Sequence, residues 1–113
     1  MVRDKDHKQV KAKVRGYTRR FLQALKDEDL DIHVQKLGPR YAGFCLGNHI
    51  YIDHTASAFE SLLSVFIHEL LHYLNPERRE KEVERVEKIW MQHSSWKQKK
   101  ALLLELCELA KGR

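Results

Sequence analysis

Residues 57 to 74, SAFESLLSVFIHELLHYL, are the most apolar stretch of a 113-residue chain, and they leave the least choice of fold. Ser57 with Glu60 three positions later has the form of a capping box, with Asp53 and Thr55 as other possible caps. The residues that follow read as a helix that is apolar around most of its circumference. Such a helix has to be covered by other elements. A chain of this length holds one compact domain with a single core, so residues 1–113 are read as one domain. No apolar run approaches the roughly 20 residues a membrane span needs.

The covering elements can be read on either side. From Asp4 to Lys26, Val10, Val14, Tyr17, Phe21, Leu22 and Leu25 recur at three-to-four spacing, the pattern of an amphipathic helix. The acidic cluster DEDLD ends it. Ile32 and Val34 then alternate, Gly38-Pro39 marks a turn, and YAGFCL is rich in β-prone residues. Gly47-Asn48 suits a tight hairpin turn before His49-Ile50-Tyr51-Ile52-Asp53. These segments predict a small antiparallel sheet of two to three strands. Asn75-Pro76 reads as a helix stop followed at once by a helix start. The next helix is expected over Pro76 to His93, with Val83, Val86, Ile89 and Trp90 facing inward. Ser94 or Ser95 caps a last helix to about Lys111. The predicted class is α+β: an N-terminal helix, a small sheet, then three helices.

Within the apolar helix, His68-Glu69-Leu70-Leu71-His72 is H-E-x-x-H. Residues four apart lie on one helical face, so both imidazoles can converge on one Zn²⁺, while Glu69 can hold a water beside the ion as a general base. Unpaired polar groups are costly in so apolar a helix, which favours a metal over chance placement. A catalytic zinc needs a third protein ligand, and no glycine and third histidine follow His72. The next helix offers glutamates instead. At about 100° per residue, Glu82 lies closest to its core-facing direction, with Glu87 and Glu80 to the sides. Glu82 is therefore the expected third ligand, and Glu87 and Glu80 are the alternatives.

HELLHYLNP followed by EKEVERVEK resembles the minigluzincins, soluble single-domain zinc peptidases related to the catalytic domains of membrane-integral gluzincins. That resemblance implies an active-site helix, a glutamate helix supplying the third ligand, and a β-ribbon whose edge strand holds an extended peptide or protein substrate. The strand His49–Asp53 best matches the edge strand, making Ile50, Tyr51 and Ile52 the substrate-binding residues. It also implies latent, zymogen-like forms in which a terminal segment blocks the cleft. Tyr41, Tyr51 and Tyr73 are candidates to polarise a scissile carbonyl, and His49 and His54 flank the hairpin.

Charge and cysteines bear on the rival readings. Residues 1–26 carry a balance of +7, residues 27–76 one of −5, and residues 77–113 one of +3. A non-catalytic zinc scaffold that contacts nucleic acid or an acidic partner through basic terminal helices is the alternative to a peptidase. The basic runs lack aromatic interleaving, which favours solvated helix faces over nucleic-acid binding. The charged N-terminus has no apolar stretch behind it, so a cytoplasmic location is expected. Cys45 and Cys107 read as buried thiols rather than a disulfide pair, and Trp90 and Trp96 as packing residues. Nothing in the sequence sets the oligomeric state.

Overall fold

The computed structural model describes residues 4–37, 42–53 and 59–110. Its order is α1 (Asp4–Ala24), β1 (Asp31–Gln35), β2 (Gly43–Leu46), β3 (His49–Asp53), α2 (Phe59–Leu74), α3 (Glu80–His93) and α4 (Trp96–Ala110). The α+β class and the succession of helix, sheet and three helices are as expected from the sequence. The capping box at Ser57, together with Thr55, Tyr41, His54 and Gly38-Pro39, lies outside the described residues. Among the described residues, no helix is long and apolar enough to cross a membrane.

The sheet departs from the expected antiparallel arrangement in one strand. β2 and β3 form the predicted hairpin, with Gly47 at φ 59° as the first residue of its two-residue turn. Glycine takes that left-handed conformation without steric cost, as in a type II′ turn. β1, however, pairs parallel with β3 on its other side, giving the order β1-β3-β2. Strand periodicity reveals which residues share a face, not which strand lies alongside, so the parallel pair was not legible. Asp53, considered as a helix cap, closes β3 instead: it is buried, and its Oδ2 accepts a hydrogen bond from the Leu37 backbone N–H at 3.2 Å.

Leu63, Phe66, Ile67, Leu70 and Leu71 of α2 are buried, and with Ile50 and Ile52 of β3 they form the centre of the core. Phe21 of α1 and Trp90 of α3 meet edge to face, with centroids 5.8 Å apart. Trp90 Nε1–H donates to Thr18 Oγ1 at 2.8 Å, and that hydroxyl donates to the Val14 carbonyl at 2.7 Å. The indole is thereby both packed and satisfied. Trp96, by contrast, is 63% exposed, and Cys107 is exposed, so neither is the core residue the sequence suggested. Cys45 is half-buried and both thiols are free.

α3 begins four residues later than predicted. Asn75-Pro76 opens a turn closed by Arg78 N–H donating to the Asn75 carbonyl at 3.0 Å, and Arg79, in an extended conformation, is the N-cap. The turn reverses the chain, so that α3 runs back along α2 with its first turn beside His72. At the next junction, Ser95 and Gln98 cap α4 reciprocally: Gln98 N–H donates to Ser95 Oγ, and Ser95 N–H donates to Gln98 Oε1.

The Thr18–Trp90 contact yields the first prediction. Thr18→Val keeps the shape but strands the buried indole N–H, which should cost about 1–3 kcal/mol. Urea unfolding of this variant against wild type checks it, and an unchanged midpoint would show that the bond contributes nothing.

Candidate metal centre

The α2–α3 pair brings five polar side chains to one seam. His68 and His72, a turn apart on α2, both present Nε2 to the carboxylate of Glu80 in the first turn of α3. His68 Nε2 lies 2.6 Å from Glu80 Oε1, and His72 Nε2 lies 2.9 Å from Glu80 Oε2. Seven residues on, Glu87 approaches from the other side of His68: its Oε1 accepts from Nδ1–H at 2.8 Å, and its Oε2 accepts from Ser64 Oγ at 3.1 Å. One ligand atom from each of His68, His72 and Glu80 can be chosen so that all lie within 4.8 Å of one another, and this group can hold a metal ion.

The donor set itself supports a cation. A carboxylate only accepts, so His68 can satisfy both of its contacts only as a doubly protonated imidazolium. A metal ion on the Nε2 side would take the place of that proton and leave Nδ1–H bonded to Glu87. The carboxylate–imidazole–metal arrangement fixes the tautomer and ring orientation of a ligating histidine.

Glu82, the expected third ligand, is not brought to the histidines. It is exposed on α3, and the carboxylate that bridges the pair belongs to Glu80. Two features explain the difference. The late start of α3 puts Glu80 in the turn nearest His72. Ile89, which the apolar spacing counts as inward, is also only half-buried, whereas the buried residues are Val83, Val86 and Trp90. Omitting Ile89 rotates that direction by about 20° and leaves Glu82 and Glu87 on opposite flanks. Glu80 and Glu87, one heptad apart, share the flank that faces α2, within about 20° of each other.

Glu69 is 7% exposed and shares a cleft of about 310 Å³ with His68, Ala42, Gly43, Ser64, Val65 and Glu87. Burial raises its carboxyl above the ordinary glutamate range; His68 and His72 oppose that shift, and Glu80 and Glu87 reinforce it. Gly43 is what lets β2 come so close. A Cβ there would lie 2.6 Å from Val65 Cγ1 and 2.9 Å from the Tyr51 carbonyl, with Glu69 Cγ at 3.4 Å. The sequence reading passed over both Gly43 and Ser64. An isolated glycine in a strand does signal close backbone approach, and Ser64, four residues before His68, shares its helical face.

The expected substrate strand also needs correcting. β3 is the central strand: Ile50 pairs with Ile32 and Cys45, Tyr51 with His33 and Phe44, and Ile52 with Val34 and Gly43. With β3 paired on both sides, none of Ile50, Tyr51 and Ile52 presents a free main-chain edge, and the Ile50 and Ile52 side chains are fully buried. The edge strand packed against α2 is β2. The described tyrosines point elsewhere. Tyr73 donates to Asp27 Oδ2 at 2.5 Å, and burial with that bond pushes its hydroxyl up to about 12. Tyr51 stacks between His33 and Phe44, each centroid 4.6 Å away.

A scan against protein-family models finds no match, and searches of curated proteins and of solved structures find none either.

Two predictions follow from the geometry. In calorimetric zinc titrations, Glu87→Gln should lower affinity roughly 10–100-fold, Glu80→Ala should lower it further, and Glu82→Ala should leave it near wild type. A loss at Glu82 matching that at Glu80 would relocate the third ligand. The second concerns the metal-free protein, in which the hydrogen bond from Glu87 is the main cause raising His68 from 6.5 to about 9. Charges on Glu80, Glu87 and Glu69 add to the rise and burial opposes it. Because the folded value exceeds the unfolded one, this stabilisation is whole below about pH 6.5 and is lost as pH rises through about 9. The melting temperature of metal-free protein should fall across that window, and fall less in Glu87→Gln. A flat wild-type profile would contradict the assignment.

Proposed function

We propose that this chain is a zinc-dependent endopeptidase of the minigluzincin type. The observation that carries the reading is the convergence of His68, His72 and Glu80, with Glu69 one residue from the first ligand and lining the cleft beside β2. His68 and His72 would hold the ion through Nε2 and Glu80 through a carboxylate oxygen, while Glu87 orients His68 through Nδ1. Zinc bound there supplies a Lewis acid and a water acidic enough to attack a carbonyl near neutral pH. Glu69 accepts the proton of the attacking water and returns it to the amine as the peptide C–N bond breaks. Its position under β2 shields it from bulk solvent.

The substrate role expected of β3 falls to β2 in this reading. β2 pairs with β3 along one side, and no strand among the described residues pairs with the other. An extended peptide can add there by main-chain hydrogen bonds, with alternate side chains directed into the cleft. The walls of that cleft come from α2, α3 and the β2 segment, and no residue of α1 or α4 is among them.

One feature favours the alternative of a non-catalytic binding module. Lys11 and Arg15 of α1 and His93 of α3 line a separate cleft of about 230 Å³ with Ser95 and Gln98. A single variant separates the two readings. Glu69→Gln should retain zinc yet cleave an unstructured protein substrate roughly 10²–10⁴-fold more slowly. Cleavage at the wild-type rate would sink the general-base role, and no cleavage by zinc-loaded wild type would leave the binding module.

A further inference from the structure

We propose that the outer face of the sheet carries a second metal site, built by His33 and His49 with Asp31 at its margin, for a borderline divalent ion such as Zn²⁺. The parallel register sets Asp31 opposite His49 and His33 opposite Tyr51. All three side chains therefore stand on the face away from buried Ile32, Ile50 and Ile52. None of them belongs to the centre on α2 and α3.

The ring nitrogens are already close to a metal's bite. His33 Nε2 lies 3.1 Å from His49 Nδ1, and Asp31 Oδ2 lies 3.7 Å from that same Nδ1. The ring centroids are 5.3 Å apart and the planes differ by 27°, so the two imidazoles meet nearly edge to edge, nitrogen toward nitrogen. Without an ion, one ring donates its N–H to the other across this contact, and a cation would take the place of that proton. With Zn–N bonds of about 2.0–2.1 Å, tetrahedral geometry spaces two nitrogen donors roughly 3.3–3.4 Å apart. Turning each ring nitrogen by about 35° off the line between them aims both lone pairs at one ion with that spacing.

Two more features support the assignment. His33 is held in place by stacking on Tyr51, centroids 4.6 Å apart and planes within 16°, so one ligand is preorganised. The side chains of His49 and Asp31 are 41% and 53% exposed, so an ion can enter from solvent and keep water in its remaining positions. Imidazole donors select zinc, copper or nickel over magnesium or calcium. Bound there, the ion would tie β1 to β3 through side chains as well as backbone.

The test is a calorimetric titration of the whole chain with Zn²⁺ alone. Wild type should take up a zinc equivalent that is lost in His33→Ala and in His49→Ala and kept in the His68→Ala/His72→Ala double variant. His33→Gln and His49→Gln, which preserve polarity on this exposed face, should behave like the alanine variants, with circular dichroism confirming that each folds. Both His49 variants taking up as many zinc equivalents as wild type, or a wild type whose whole uptake vanishes in the His68/His72 double variant, would overturn the proposal.

Discussion

Helix α2 must be buried, yet it carries Ser64, His68, Glu69 and His72, and the rest of the structure follows from how both demands are met. Its apolar residues, Leu63, Phe66, Ile67, Leu70 and Leu71, are taken up by the sheet and the neighbouring helices. The polar ones are met from two directions. α3 brings Glu80 and Glu87 to Ser64, His68 and His72, and β2 closes over Glu69. Each imidazole contact is to a carboxylate, the partner that offsets the cost of placing such groups in a partly dry seam.

The backbone achieves this by short reversals rather than by long loops. The Asn75–Arg79 turn sends α3 back along α2, so that residues seven apart on α3 meet opposite nitrogens of the same His68 ring. Gly43 allows strand β2 to lie closer to α2 than any side chain would permit. A single β-methyl at that position would collide with Val65 and with the Tyr51 carbonyl. The cleft beside Glu69 thus owes its shape to an absence of atoms in β2, and it opens on the edge strand proposed to hold substrate.

The H-E-x-x-H pair was legible because helical periodicity alone sets two side chains four apart on one face. The elements were legible too, since apolar period distinguishes α1, the strands and α2 without tertiary information. What failed depended on neighbours. Whether β3 is an edge or a centre depends on where β1 docks, and β1 joins it in parallel from the far side. Choosing among Glu80, Glu82 and Glu87 required knowing where α3 begins and which flank faces α2. Asn75-Pro76 has the form of a helix start but makes a turn, and half-buried Ile89 resembles a core residue in sequence. The His33–His49 contact was hidden for the same reason, because it joins strands sixteen residues apart whose parallel pairing leaves no local signature.

The central claim is that His68, His72 and Glu80 are the three protein ligands of one zinc ion. Anomalous diffraction from zinc-loaded crystals, measured above and below the zinc edge, tests it most directly. The account predicts a peak about 2.0–2.2 Å from His68 Nε2, His72 Nε2 and a Glu80 carboxylate oxygen, with Glu87 still on His68 Nδ1. A peak ligated by Glu82 or Glu87 instead, or no peak between the two histidines, would contradict it.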